Sequence, residues 1–258
     1  MKTKRMNVTK KAGLRSLLKA IPGTPILVVG DLMADKFLWG DVSRISPEAP
    51  VPVLELMRET WAPGGSGNVV NNLTALGARV FAIGVVGADK DGETIVSSFD
   101  HAGVNTEGII VDDERPTITK TRIIARNQQV LRLDVERTNS FNRHMHSTLR
   151  NAIQRITPQC AAVIISDYGK GIITRDLLKY IIGQARKKGI PVTVDPKIEH
   201  FQQYRGVTCI TPNLHEARAG MHRFRVDSDA DLEKLGCDIL KRLRCDSVLI
   251  TRGEMGMD

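Results

Sequence analysis

The chain has 258 residues, 41% of them hydrophobic and 26% charged, which is enough for one large domain with a buried core and excludes disordered and collagen-like classes. Its net charge is +8, yet aromatic residues make up only 4% and the Lys and Arg residues are scattered, so no nucleic-acid partner is expected and a small anionic substrate explains the excess equally well. Cys160, Cys209, Cys237 and Cys245 form no Cys-x-x-Cys pair, and the first strongly apolar run, Ile26 to Val29, is too short for a membrane span or a signal segment; a cytoplasmic protein with no membrane partner is expected.

Residues 1 to about 23 read as a polar lead-in with a short helix, Ala12 to Ala20, ended by Pro22-Gly23. Pro25 to Gly30 is a continuous apolar run of strand length, and such a run suggests a strand covered on both faces. Asp31 and Asp35 follow, where a carboxylate can accept hydrogen bonds from sugar hydroxyls or simply cap a turn. From Lys36 to Met57 the pattern breaks into short extended pieces interrupted by Pro47, Pro50 and Pro52, which leave edge strands and turns.

Pro63-Gly64-Gly65-Ser66-Gly67-Asn68 comes next, ahead of a run read as a helix from Val69 to Leu76. Small residues let the backbone approach a ligand, the start of the helix offers N–H groups to oxygen-rich groups, and Asn68 adds a donor and an acceptor. An ordinary strand-to-helix turn carries the same residues. A strand from Arg79 to Val86 and a helix to about His101 follow, and Thr117 to Asp134 reads as a hairpin turning at Asn127. With residues 36 to 57 it makes a small β lid folded over the larger domain. Beyond Ser140 the βα alternation is regular: helices at Asn142 to Ile156, Thr174 to Lys188 and Ser228 to Arg244, strands at Ala161 to Ser166, Pro191 to Val194, Val207 to Thr211 and Ser247 to Thr251. The fold class is therefore α/β, a doubly wound, mostly parallel sheet with a small inserted β lid.

Polar clusters stand directly after the strands: Gly30-Asp31, Ser166 to Gly171 with Asp167 and Lys170, Asp195-Pro196-Lys197, Thr211-Pro212-Asn213 with Glu216, and Thr251-Arg252-Gly253. On one edge of a parallel sheet they would line a face suited to a polyhydroxy, phosphate-bearing ligand. Asn213 and Glu216 are three apart at a helix start, a spacing that serves either a hydrated Mg²⁺ or a helix cap with its acid. No Walker sequence and no protein-kinase signature is present.

The Gly64 to Asn68 turn, with Gly77 and Gly87 at matching spacing, and Asn213-Leu-His-Glu216 after Thr211-Pro212 resemble the ribokinase-like (PfkB) carbohydrate kinases. Gly30-Asp-Leu-Met-Ala-Asp35 and the run from Gly40 to Val53 are similar, within that family, to the D-glycero-β-D-manno-heptose 7-phosphate kinases of ADP-heptose and lipopolysaccharide synthesis. The resemblance implies a sugar held by Asp31, Asp35, Gly64, Gly65, Asn68 and the lid, with Arg122, Arg132, Asp134, Asp167, Lys170 and Lys197 as candidates for the heptose and its phosphate. It implies Mg-ATP over Asn213, Glu216, Thr251 and Gly253, with Glu216 toward the metal. Apart from the resemblance, an exposed lid with apolar Ile123, Val130 and Leu131 would gain from pairing across a two-fold axis, so a homodimer through the lid is expected.

Two departures accompany it. Ser66 and Val70 replace the small residues usual in the turn, and no Gly-Ala-Gly-Asp sequence, which supplies the family's anion hole and catalytic base, occurs before Asp258. The expectation is a chain truncated before its base and nearly inactive alone. Another sugar as substrate, or a non-catalytic sugar-phosphate-binding fragment, are the alternatives.

Overall fold

Five of the six residues of β1 (Pro25–Gly30) are buried, as a strand with both faces covered requires. A computed structural model describes residues 11–137, 141–223 and 225–257; most of the polar lead-in and Asp258 lie outside them. In chain order the elements are α1 (Lys11–Ala20), β1, β2 (Leu32–Ile45), β3 (Pro52–Gly65), α2 (Ser66–Ala75), β4 (Arg79–Gly87), α3 (Lys90–His101), β5 (Asn105–Asp112), β6 (Ile118–Ala125) and β7 (Gln128–Val135). There follow α4 (Arg143–Ile156), β8 (Ala162–Ser166), α5 (Arg175–Lys187), β9 (Val192–Asp195), β10 (Cys209–Ile210), α6 (Leu214–Gly220), α7 (Asp229–Leu243) and β11 (Ser247–Val248).

Seven strands form one sheet in the order β11-β10-β9-β8-β1-β4-β5, and every neighbouring pair is parallel. All their carboxyl ends therefore open on one edge. Alternation along β1 splits the core: Leu27 and Val29 pack with Leu149, Ile153 and Ile181 of α4 and α5, while Val28 packs with Val70, Ile95 and Phe99 of α2 and α3. The stripe read in α7 is buried at Leu232, Leu235, Ile239 and Leu243, and Leu240 is packed at its margin.

The other four strands form a smaller sheet in the order β3-β2-β6-β7. The β6–β7 hairpin turns at Arg126 and Asn127, both at positive φ, which matches the twist of a two-residue hairpin. Pro52 and Pro63 lie on β3, an edge strand where a missing N–H is tolerated. The small sheet is pinned to the large one by Asp89, the N-cap of α3: its Oδ1 accepts from Gly92 N at 2.9 Å and from Thr117 Oγ1 at 2.7 Å, and its Oδ2 from Thr117 N at 2.7 Å. Lys36 Nζ on β2 lies 2.6 Å from Asp91 of α3.

Several boundaries differ from the sequence reading. The lid strands β2 and β3 are longer than residues 36–57, so Asp35, Gly64 and Gly65 lie in paired strand, with Asp35 opposite Ala62 and Gly64 opposite Met33. The helix after them begins at Ser66 rather than Val69, because Gly65 at φ 57 makes the reversal on its own. The strands read at 207–211 and 247–251 shrink to two residues each, and β5 is an edge strand that the reading passes over.

Gly30 ends β1 against the Ser166 carbonyl, and a Cβ there would also stand 3.0 Å from Ser66 Cβ. Gly30→Ala is expected to destabilise the fold by about 1–3 kcal/mol through overpacking. Gly183→Ala, inside α5 where a Cβ meets nothing within 4 Å, is expected to stabilise it by about 0.5–1 kcal/mol; urea denaturation of both variants checks the opposite signs.

Candidate functional site

The single residue between β1 and β2 is Asp31. It is fully buried, and its carboxylate accepts backbone N–H groups from Tyr168 at 3.0 Å and Lys170 at 3.2 Å on Oδ2, and from Ile172 at 3.3 Å on Oδ1. Its own carbonyl accepts from Ser66 N at 3.0 Å. Burial pushes the carboxyl up to about 6 against the lowering effect of those N–H groups, and the charge of Asp167 adds to the rise. Asp31 thus joins three candidate segments, the end of β1, the Gly-rich start of α2 and the loop after β8, and its inaccessible carboxylate does not hold the sugar as the sequence suggested, because the fold turns it inward to those backbone N–H groups.

At that start Gly64 and Gly65 are buried and Asn68 is exposed. The Ser66 hydroxyl is buried without a hydrogen-bond partner in the protein, an unsatisfied polar atom beside the turn. A Cβ on Gly64 would displace the Asp35 carboxylate, and one on Gly65, at φ 57, would press on the Asp31 carbonyl, so Gly65 is the position that requires glycine.

Period-2 alternation brings the lid candidates onto one face. In register Asp35 lies beside Lys120, and Lys120 opposite Asp134; Phe37 lies beside Arg122, and Arg122 opposite Arg132. Arg122 Nη1 meets Asp35 Oδ1 at 2.5 Å, with its guanidinium 5.2 Å from the Phe37 ring. Arg132 grips Asp134 with two hydrogen bonds, at 2.9 and 3.0 Å, and Lys120 Nζ reaches the same carboxylate at 3.0 Å. Lys120, with Arg132 adding to it, holds the Asp134 carboxyl below the usual range. Lys170 Nζ crosses from the large sheet to Glu136 at 2.6 Å. Lys120 and Glu136 were missed in the sequence, although Lys120-x-Arg122 and Arg132-x-Asp134-x-Glu136 repeat with the strand period.

Asp167 points elsewhere. Its side chain is inaccessible to solvent and serves Gly169 N, His200 Nδ1 and Tyr204 Oη, so it does not line the ligand-binding face on which the sequence places it. Lys197 stands on the neighbouring loop, with its side chain against Gly169.

Asn213 and Glu216 form a capping box on α6: Asn213 Oδ1 accepts from Glu216 N at 2.9 Å and Glu216 Oε2 accepts from Asn213 N at 2.8 Å. The cap reading of this pair is the one observed, and it occupies one oxygen of each side chain. Thr251 bridges Asn213 and Met257, and Gly253, at φ 62, starts the turn beyond it. Asp195 is an exposed residue at the end of β9, yet the protein packed around part of its carboxyl, with the Glu216 and Asp167 charges, pushes it up to about 6. Two mutually repelling carboxylates of hard oxygen fit a hydrated Mg²⁺ carried mainly by water and phosphate. Among the described residues no group of three His, Cys, Asp or Glu side chains forms a metal cage, and no helix is long and apolar enough to cross a membrane.

The fold is shared with solved sugar kinases. The Escherichia coli phosphofructokinase-2, solved in complex with substrates and products, superposes with a TM-score of 0.73 at 19% identity over 91% of this chain and 74% of its own. An Arabidopsis thaliana ribokinase complexed with ribose and ATP gives 0.68 at 16% identity, over 91% and 74%. At such identities they show the fold alone. Among curated sequences, the bifunctional protein HldE of Desulfatibacillum aliphaticivorans is 45% identical over 90% of this chain and 47% of its own length. The HldE of Geobacter sulfurreducens is 39% identical over 96% and 50%, so the chain spans about half the length of the curated relatives it matches. A family profile described as "pfkB family carbohydrate kinase" matches residues 24–258, and the chain belongs to that family of sugar phosphotransferases.

Proposed function

We propose that this chain carries the site of an ATP-dependent kinase that phosphorylates D-glycero-β-D-manno-heptose 7-phosphate at its anomeric hydroxyl, a cytoplasmic step toward ADP-heptose and lipopolysaccharide. The observation that carries this reading is the order of functions along one sheet edge. Beside β1 lie the Gly-rich turn, Asp35 and the basic lid face; at β10 and β11 lie Asn213, Glu216 and Thr251. Between them, after β8 and β9, come Lys170, Asp195 and Lys197. Three strand steps separate β1 from β10, about 14 Å, a span that a nucleotide's phosphate chain can bridge to reach a sugar under the lid.

In this reading Asp35 and the turn at Gly64 to Asn68 fix the sugar hydroxyls, while Arg122, Arg132 and Lys170 take the 7-phosphate, exchanging their resting carboxylate partners for phosphate oxygens. Lys197, on the neighbouring loop, joins Lys170 toward that phosphate, and positioning accounts for much of the acceleration in such transfers. Glu216, backed by Asp195, would hold Mg²⁺, which supplies charge neutralisation at the phosphates when bound. The base that takes the hydroxyl proton is not assigned to a described residue. A homodimer through the lid is part of the proposal, supported by the exposed Val130, Leu131, Leu133 and Val135 on β7.

Calorimetric titration of heptose 7-phosphate into the chain, with and without a non-hydrolysable ATP analogue and Mg²⁺, tests the reading. Binding of the phosphorylated heptose in preference to unphosphorylated sugars is expected; selective binding of an unphosphorylated sugar moves the substrate elsewhere in the family. Arg122→Gln is expected to weaken heptose 7-phosphate by about 1.5–3 kcal/mol, the worth of a charged hydrogen bond, with little change in melting temperature because the pair is partly exposed.

Asp195 supplies a pH test. Its folded-state carboxyl titrates near 6 against 3.8 ordinarily, so the folded chain holds a proton that the unfolded chain loses, and stability falls as pH rises through that window. Asp195→Asn is therefore expected to raise the melting temperature at neutral pH and leave it nearly unchanged at about pH 4. Mg²⁺ should reproduce the stabilisation at neutral pH in the parent chain but not in the variant; thermal melts across pH, with and without the ion, measure both.

A further inference from the structure

Asp167, turned away from the cleft, sits at the centre of a closed network. Its Oδ1 accepts Gly169 N at 2.8 Å, and its Oδ2 accepts both the Tyr204 hydroxyl and His200 Nδ1–H at 2.6 Å. The Tyr204 hydroxyl in turn accepts Lys197 N at 2.9 Å, and Asp167 N donates to the Asp195 carbonyl at 3.2 Å. Tyr204 is the bulkiest of the fully buried side chains, and burial together with the Asp167 charge raises its phenol, which stays protonated and so keeps donating. His200 is partly exposed, and the same carboxylate raises its basicity.

The consequence is geometric. Gly169, at φ 65, is one residue before Lys170, and its Cβ position would lie 3.4 Å from Lys197 Cγ. Lys170 N and Ile172 N are meanwhile held by Asp31. One buried carboxylate thus ties the loop after β8 to the loop after β9, and each loop carries one lysine of the cleft.

We infer that Tyr204 and His200 are positioning residues: acting through Asp167, they set Lys170 and Lys197 at the spacing that a phosphate-bearing sugar requires. This rests on the kinase reading above for its ligand. The coupling between the loops does not. A network with a structural role alone would hold both loops without favouring the phosphate-bearing sugar over the same sugar without phosphate.

The test uses the whole chain with Tyr204→Phe, His200→Ala and His200→Asn, whose side-chain NH₂ can replace the Nδ1–H donor. In the ligand-free protein, amide hydrogen exchange is followed at Gly169, Lys170, Ile172 and Lys197. Tyr204→Phe and His200→Ala are expected to speed exchange at Gly169 and Lys170 about tenfold or more, and His200→Asn to restore it. Faster exchange at Lys197 alone, or no rescue by asparagine, overturns the coupling. Affinities for heptose 7-phosphate and for the same heptose without phosphate form the second arm. Tyr204→Phe should weaken the first about five- to tenfold while sparing the second; equal weakening of both overturns the positioning role. If the parent chain binds neither sugar, the kinase reading fails, and the exchange arm still decides whether the loops are coupled.

Discussion

A carboxylate with no access to solvent has to be compensated where it stands, and Asp31 is compensated by three backbone N–H groups of a loop more than a hundred residues away in sequence. Leaving such a charge without partners costs several kcal/mol, so the loop from Tyr168 to Ile172 is held wherever Asp31 is. Asp31 is in turn fixed by β1, at the centre of the large sheet, and by Ser66 N at the start of α2. The Gly-rich turn, the lid and the lysine-bearing loop therefore share one anchor, and the cleft is assembled around a group that itself faces inward.

The charges on the lid follow a different logic. Arg122, Arg132, Lys120 and Lys170 each rest against a carboxylate, at Asp35, Asp134 or Glu136. All these pairs lie partly open to water, so none adds much to stability. Under the proposed function their value is selectivity: an arriving anion would have to offer better geometry than the acid it displaces, which would favour a phosphate presented by a bound sugar over a loose counter-ion.

Periodic patterns made most of the fold legible in the sequence. The unbroken run of β1, the leucine stripe of α7 and the polar turn of the β6–β7 hairpin each act within a few residues, where side-chain spacing and burial coincide. The clusters after the strands fell on one edge because parallel order leaves no other arrangement. What stayed hidden depended on partners distant in sequence. Asp167 reads like any acid after a strand; only the fold brings Tyr204, 37 residues on, to its oxygen and turns it into the core. Gly64 and Gly65 read as a turn, yet pairing with β2 extends the strand through them. β5 eluded the pattern because it is an edge strand with Gly108 in its middle, where a side chain would strike the Ala82 carbonyl.

Two of the joints between the lid and the large domain are short. Only Asp31 separates β1 from β2, and no residue separates β3 from α2. A lid hung on long loops can swing without disturbing its frame; this one has no slack at either of those crossings. At those two crossings a shift of the lid acts directly on Asp31 and Gly65, and a shift at Asp31 pulls on the loop that carries Lys170. Lid position and lysine position then become a single mechanical coordinate, so a ligand that seats against one also sets the other.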